Sequence, residues 1–450
     1  MKLRLFCALA CFGSVSAADL TVGQPGDGAD FTDLSSALAA APVGETIFVL
    51  PGTYEGASIT QGVSLVGAGS DTTFLTAPST GGASARHLSV ANLPANQQVR
   101  VAGFGLAGAA ATTPGFGAGV ELINNQGSVT LADVWYTPST AATGFTSDSV
   151  EALLHIEACL QVILDKCRMN ARKLDDTSAD GTYGLNVVSA LVFANDSDFV
   201  SGGRLGIDGR PGVRLASAEL WLNACNLIGE HGETVVSDTP GTPAPAGGAG
   251  IAAILGSRIE FFGNQAQLVR GGDGGRVNDS GGTMQAAGDG GPGILMADAT
   301  TAVASGATAL TGGTSPDAVQ APAFVTDASS TLFLLFEPQV GLSVSDTVVS
   351  PGESVTLSAG GLSFSPVFVF FGLETIAPLA LPSFGGFLQL LPFPPAPLLA
   401  IDLNFLGTGE ATITIPPEIP PGLPLYFQAA NSPASILPSI SLPAFVQVGL

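Results

Sequence analysis

The sequence predicts an all-β protein in which short strands form stacked coils, followed by a small β-sandwich-like module. Its 450 residues include 59 glycines and 31 prolines, and only 11 % are charged, a composition that favours many short strands joined by turns. Apolar strand-like phrases recur about every thirty residues, as repeated structural units do. After residue 340 this rhythm gives way to short strands at turn-separated spacing.

Residues 1–17 are predicted to be a secretory signal peptide. Lys2 and Arg4 form a positive n-region, residues 5–13 are an apolar run too short to span a membrane, and Val15-Ser16-Ala17 is a small-residue cleavage site. We therefore expect a secreted protein that is extracellular or attached to the cell surface.

The formal net charge of −23 argues against nucleic acid and anionic membranes as partners. After the signal peptide, three cysteines remain, an odd number in a long chain, so a disulfide scaffold is not expected. Cys159 and Cys167 are left open as a pair if their strands face each other, but buried, unpaired thiols are the favoured interpretation.

Residues 31–69 give the clearest local signal. The segment FTDLSSALAAAP predicts a short amphipathic helix that Thr32 or Asp33 caps and Pro42 follows. A strand, a turn and two further strands are expected at 46–50, 51–54, 57–59 and 63–67.

This helix followed by GETIFVLPGTYEGASITQGVSLVGAG resembles the opening of proteins of the pectin-lyase-like superfamily. The resemblance implies a right-handed parallel β-helix over residues 19–335, whose helix plugs the first coil and shields open strand edges. It implies no particular chemistry, because enzymes and non-enzymes share this fold.

The recurring phrase predicts which residues occupy equivalent places in successive coils. A coil cannot bury its apolar face alone, so neighbouring coils must stack on it. The predicted equivalent residues are Val101, Leu131, Leu164, Phe193, Leu222 and Ile254.

Two glycine-rich segments, 229–250 and 271–293, interrupt the coils and are interpreted as flexible loops that leave the coil rim. Each Gly-Asp-Gly stretch offers one Asp, too few ligands for calcium, so no metal or cofactor is expected, although calcium binding is left open.

Residues 340–450 are predicted to form the β-sandwich-like module, whose rhythm resembles the C-terminal domains of bacterial secreted surface proteins. The apolar stretch 366–407 contains several prolines, which argues against a membrane-spanning helix.

One cluster of charges is a candidate site for an acidic sugar. Alternation places Lys166 and Arg168 on one face of a strand, and Arg172, Lys173 and Asp176 follow closely. Arg172 and Lys173 are candidate ligand-binding residues, and Lys166, Arg168 and Asp176 are candidate catalytic residues. The favoured alternative is a solvated segment whose charges pair locally.

A second cluster contains the candidate catalytic residues Asp208 and Arg210, with Arg204 and Arg214 nearby. Arg210-Pro211 resembles fragments of the signatures of pectate lyases and pectin methylesterases. Neither signature is complete, so chance is the favoured explanation.

Trp221 is a candidate ligand-binding residue. Its position beside Leu222 predicts that the two side chains point in opposite directions, which gives either an exposed stacking platform for sugars or a partly covered core residue.

No complete catalytic set is present, and three histidines in all make a histidine metal site improbable. The sequence therefore predicts a secreted or cell-surface β-helix protein with a structural or polysaccharide-binding role, with polysaccharide or the cell envelope as partner. The alternative is a polysaccharide lyase or glycoside hydrolase acting on an acidic polysaccharide. The oligomeric state is left open.

Overall fold

The computed structural model describes residues 20–77, 86–107, 117–136, 150–171, 182–202, 208–263, 266–305, 308–335, 339–380, 387–390, 397–431 and 439–449. Within these ranges the regular secondary structure is β-strand apart from one short helix, and the two largest sheets are parallel. The predicted all-β class is confirmed. The predicted signal peptide lies outside the described residues.

The helix, Leu34–Ala40, is capped by Asp33, whose carboxylate accepts a hydrogen bond of 2.8 Å from the backbone N–H of Ser36. An aspartate at this position satisfies a backbone donor that the first helical turn leaves free. Leu34 and Ala37 are buried in the same apolar cluster as Val22 of the first strand. The helix therefore packs against the first coil, as the resemblance implies.

Apart from three strands in the glycine-rich segments, the strands up to residue 335 form three walls around a common core, and within each wall a strand pairs in parallel with its counterpart in the next coil. This successive pairing is the arrangement of a parallel β-helix. The right-handed sense of winding stays a prediction.

The first wall consists of Leu20–Val22, Thr46–Val49, Ser64–Gly67, Gln98–Ala107, Ser128–Tyr136, Gln161–Asp165, Leu191–Asn195, Glu219–Asn223, Arg258–Phe262, Thr301–Ser305 and Thr331–Leu335. The second wall takes in the ends of the long strands Gln98–Ala107 and Ser128–Tyr136, and adds Gly52–Glu55, Thr73–Thr76, Arg168–Asn170, Asp198–Val200, Asn226–Ile228, Gln267–Arg270 and Thr308–Thr311. The third wall consists of Ala57–Ile59, Leu88–Ala91, Gly117–Ile123, Val150–Glu157, Tyr183–Val188, Val213–Ala216, Ile251–Ile254, Ile294–Met296 and Phe324–Thr326.

The structure corrects the predicted alignment of the coils at two residues. Phe193 pairs with Ile163 and Trp221 on the outer face of the first wall, and Ile254 belongs to the third wall. The true series of core positions is Val101, Leu131, Leu164, Ala194, Leu222 and Phe261. Alternation misplaced Phe193 because both faces of this strand are buried, so apolar residues occupy adjacent positions.

The glycine-rich segments differ from the irregular loops that the sequence predicts. They contribute Thr234–Val236, Arg276–Asn278 and Met284–Ala287, which form a separate three-stranded sheet. Elsewhere in these segments, glycine backbones of different coils lie side by side and form hydrogen bonds with one another.

One relay of backbone hydrogen bonds crosses five chain segments. The N–H of Gly248 donates to Glu230 at 2.8 Å, Gly272 donates to Gly248 at 2.7 Å, Gly291 to Gly272 at 2.8 Å and Gly313 to Gly291 at 2.8 Å. We call these four glycines the glycine layer.

Close approach, rather than an unusual backbone angle, explains why the layer is built of glycine. None of its four members has a positive φ. A Cβ atom on Gly272 would lie 1.5 Å from the carbonyl oxygen of Glu230. Any side chain there would therefore force the segments apart.

From residue 340 onward, almost entirely antiparallel sheets surround a second core. One sheet contains Gly341–Val344, Ser354–Gly360 and Thr408–Thr414. The other contains Val348–Val349, Pro366–Gly372, Leu399–Asp402, Pro424–Asn431, Ser439–Ile440 and Ala444–Val448, and Thr375–Ala380 pairs with Phe387–Leu390.

Both larger sheets supply this core, with Val355 and Leu357 from the first and Phe427 and Val446 from the second. A β-sandwich requires two sheets that share one core. The assignment of this module as a β-sandwich nevertheless stays a prediction. No helix in the described residues is long and apolar enough to cross a membrane.

The C-terminal module packs on the outer face of the first wall. The apolar contact joins Ala102, Ala132, Ile163, Phe193, Trp221 and Phe262 of the wall to Leu390, Tyr426, Leu442 and Phe445 of the module. Polar contacts accompany it; among them, the N–H of Phe445 donates to Asp165 at 2.8 Å, and Arg100 Nε donates to the Tyr426 hydroxyl at 2.9 Å. This part of the first wall is therefore an internal contact surface.

Candidate functional site

The third wall carries a row of polar side chains on its outer face. The strand register pairs Glu121 with His155, His155 with Asn186, and Asn186 with Arg214. Residues on either side of each one, such as Val120 and Leu122 beside Glu121, point into the core, so alternation directs these four outward. We call Glu121, His155, Asn186 and Arg214 the polar column.

At one end of the column, Glu121 pairs with Arg86. The Arg86 NH2 group lies 2.6 Å from Glu121 Oε1. Burial raises the pKa of Glu121, and the positive charge of Arg86 acts in the opposite direction. This carboxylate is therefore held by a partner within the protein.

In the middle of the column, His155 is hydrogen-bonded on both sides. Its Nδ1 lies 3.1 Å from the amide nitrogen of Asn186, and its Nε2 lies 3.3 Å from Glu157 Oε2. Because an amide nitrogen only donates, Nδ1 accepts, and the protonated Nε2 donates a hydrogen bond that the Glu157 carboxylate accepts. Both ring nitrogens are thus occupied.

At the other end, Arg214 NH1 donates to the Asn186 side-chain oxygen at 3.1 Å. Throughout the part of the chain that the structure describes, no carboxylate pairs with Arg214. Asn186 is almost fully buried, so it holds one side of the guanidinium in place. The remaining donors of Arg214 have the geometry to bind two oxygens of a carboxylate.

The structure places Lys166 and Arg168 at a corner rather than on one strand. The strand of the first wall ends at Asp165, Lys166 has a φ of 53°, and Arg168 begins a strand of the second wall. The predicted alternation fails because the left-handed residue turns the chain between the walls.

The charges of this corner pair locally, as the favoured interpretation of the sequence expects. Arg168 lies 3.1 Å from Asp196 and 3.1 Å from Asp198, and Lys166 Nζ lies 3.9 Å from Asp196. Little of their charge is left for a ligand.

Arg210 and Asp208 form hydrogen bonds with the first glycine-rich segment. Arg210 donates to the Tyr183 hydroxyl at 2.7 Å, and its backbone N–H donates to Glu230. Asp208 accepts a bond of 2.9 Å from the N–H of Ala246. No described hydrogen bond or ion pair joins these two residues to Lys166 or Arg168. Arg172, Lys173, Asp176 and Arg204 lie outside the described residues.

Trp221 does point away from Leu222, but it is only 2 % exposed and is not an open stacking platform. Its ring stacks on Phe262 with centroids 5.3 Å apart, and the Arg258 guanidinium lies 5.1 Å from its centroid. The C-terminal module covers this face of the wall, which the spacing of residues along one strand does not indicate.

The cysteines Cys159, Cys167 and Cys225 are free and buried, so the structure contains no Cys159–Cys167 disulfide. Within the described ranges, no three side chains of His, Cys, Asp or Glu come together in a way that would hold a metal ion. In the glycine-rich segments, Asp273 is already bound by Arg270 and by the N–H of Thr314.

Sequence reasoning missed the polar column as a site, although Arg214 was noted beside Arg210. The signal that would have found it is a polar residue one coil apart at the same phase of the third wall, at 121, 155, 186 and 214. No protein-family model matches this chain, and no curated protein matches it.

Proposed function

We propose that this chain is a secreted or cell-surface β-helix protein of the pectin-lyase-like type that binds an acidic polysaccharide through the polar column. The observation that carries the proposal is the Arg214 guanidinium, which faces outward with no carboxylate partner among the described residues. A guanidinium binds a carboxylate with two parallel hydrogen bonds, the geometry that a uronate sugar offers.

A residue beside the column, Glu157, can accept hydrogen bonds from sugar hydroxyl groups. Glu157, beside His155, is 49 % exposed at its side chain and accepts hydrogen bonds. The column spans four coils spaced by ~4.8 Å, so it follows an extended chain rather than one small molecule. The net charge of −23 repels a polyanion at long range, but at physiological salt this repulsion is screened beyond ~8 Å.

The geometry favours binding over cleavage. A lyase needs a base with a free lone pair beside the acidic carbon, whereas both nitrogens of His155 are occupied within the protein. Glu121, the next acid in the column, is paired with Arg86. A structural or binding role is therefore proposed ahead of a lyase or hydrolase.

The test is binding of the mature protein to polygalacturonate, alginate and a neutral glucan, with and without calcium. Arg214→Gln is expected to weaken binding to the acidic polymer at least tenfold, because a charged hydrogen bond is worth about 1.5–3 kcal/mol. Arg276→Gln is the matched control, since Arg276 is exposed and lies in a different sheet.

Equal binding by Arg214→Gln and the original protein would refute the proposal. New reducing ends or unsaturated products that disappear in His155→Gln would show instead that the column is catalytic.

A further inference from the structure

A cleft of about 420 Å³ lies between the β-helix and the C-terminal module. The N-terminal coils of the β-helix supply Phe48, Val66 and Gly69, and the C-terminal module supplies residues 345–350. Sites for small molecules have volumes of roughly 300–1,000 Å³, so the cleft has room for a short ligand. It shares no residue with the polar column.

Trp135 lines the cleft and is 37 % exposed. Its indole N–H donates to the carbonyl oxygen of Lys166 at 3.2 Å, which fixes the orientation of the ring. An exposed aromatic ring held in place by a hydrogen bond is a stacking surface that costs little entropy when a ligand binds.

Two carboxylates in the cleft wall supply hydrogen-bond acceptors. Asp133 accepts a bond of 2.9 Å from the Ser70 hydroxyl, and Asp346 accepts one of 2.7 Å from the Ser345 hydroxyl. A carboxylate has about four acceptor positions, so each retains capacity for further donors.

Among the described residues that line the cleft, Lys166 is the one cation, and it is already engaged. Its ammonium group donates to the carbonyl oxygen of Ser345 and lies 3.9 Å from Asp196. The cleft therefore offers hydrogen-bond acceptors and an aromatic face, and no free positive charge. Such a site accepts hydroxyl donors and repels a carboxylate.

We propose that this cleft binds a neutral sugar, with a pyranose ring stacked on Trp135 and its hydroxyl groups donating to Asp133 and Asp346. The ligand would contact both modules at once. This site is independent of the proposed acidic-sugar site, and it prefers uncharged ligands over anionic ones.

The test uses intrinsic fluorescence, because the chain contains two tryptophans and the other, Trp221, is 2 % exposed. The mature protein is titrated with cellotriose, maltotriose and xylotriose, and with trigalacturonate as the acidic probe. At least one neutral trisaccharide is expected to shift the emission to shorter wavelength, and trigalacturonate is not.

Four variants assign the signal. Trp135→Phe should abolish the emission change, and Asp346→Asn should weaken binding roughly tenfold in calorimetry. Asp402→Asn, a change at an exposed aspartate outside the cleft, should bind as the original does. Arg214→Gln should also leave this binding unchanged, which separates the cleft from the polar column.

The proposal is overturned if no neutral trisaccharide changes the emission or is bound in calorimetry. It is also overturned if the emission change survives in Trp135→Phe, or if trigalacturonate binds with the same dependence on Trp135.

Discussion

The carboxylate of Asp165 accepts a hydrogen bond of 2.8 Å from the backbone N–H of Phe445, a residue 280 positions further along the chain. Asp165 ends a strand of the first wall, and Phe445 lies in the last strand of the C-terminal module. Desolvation raises the pKa of Asp165 to about 7, against the opposing effects of the Phe445 N–H and Lys166, while Asp196 adds to the rise. The contact between the two modules therefore contains a carboxyl group that titrates near neutral pH.

This pKa predicts how stability depends on pH. The folded protein holds the Asp165 proton more tightly than the unfolded chain, where an Asp titrates near 3.9. The contribution of Asp165 to stability is thus largest below pH ~4, falls as the pH rises towards 7, and stays low above that. Asp165→Asn keeps the acceptor oxygen without the charge, so it should raise the Tm at pH 8 more than at pH 5.

The measurement is thermal unfolding from pH 4 to pH 9, with Asp402→Asn as the control at an exposed aspartate. Parallel pH profiles for Asp165→Asn and the original protein would contradict the assignment.

Trp221 lies in the apolar contact between the two modules, and shortening its side chain is expected to destabilise the fold. Trp221→Ala removes a ring packed between Phe193 and Phe262 and should cost about 3–5 kcal/mol in the free energy of unfolding. Trp135→Ala, at an exposed site, should cost less than about 1 kcal/mol. Urea unfolding checks both values, and a similar loss in the two variants would rule out a packed contact at Trp221.

Because the glycine layer is closely packed, the stability of the protein should be unusually sensitive to a single added methyl group there. Gly272→Ala places a Cβ atom 1.5 Å from the Glu230 carbonyl oxygen and should destabilise by about 1–3 kcal/mol or more. Gly281→Ala is the control in the same segment, because its Cβ would approach nothing closer than 3.3 Å. Thermal unfolding and protease cleavage of 229–293 are the measurements. If the two variants behave alike, the close packing is refuted.

Cys159, Cys167 and Cys225 should be unreactive in the folded protein. Burial raises the pKa of the Cys225 thiol to about 12, and it raises those of Cys159 and Cys167 as well. Only the thiolate reacts readily, so a thiol reagent should modify none at pH 8 and all three in denaturant. Fewer than three in denaturant would indicate a disulfide.

Local chemistry in the sequence was sufficient to predict most of the first coils, but the turn predicted at 51–54 is wrong, because Gly52–Glu55 is a strand of the second wall that pairs with Thr73–Thr76. Asp33 caps the helix, and the strands Thr46–Val49, Ala57–Ile59 and Ser64–Gly67 lie where alternation and turn residues place them. These features depend on neighbours a few residues apart, which a single sequence displays.

Features that depend on contacts between distant residues were not predicted. Phe193 was aligned one position from its true place, and Trp221 was considered for an exposed face, because the module that covers both lies over 150 residues further along the chain. Predicting the polar column would have required the strand register across four coils. Predicting the glycine layer would have required knowing that the glycine-rich segments pack against one another rather than face solvent.

The glycine layer also affects how the protein responds to temperature. Its four members bury backbone hydrogen bonds and almost no apolar surface, and the heat capacity of unfolding comes mainly from apolar surface that becomes exposed. Opening the layer should therefore carry a small heat-capacity change, so its stability varies little as temperature falls. The apolar cores of the coils and of the C-terminal module weaken on cooling, so the layer should lose less of its stability in the cold than these cores do.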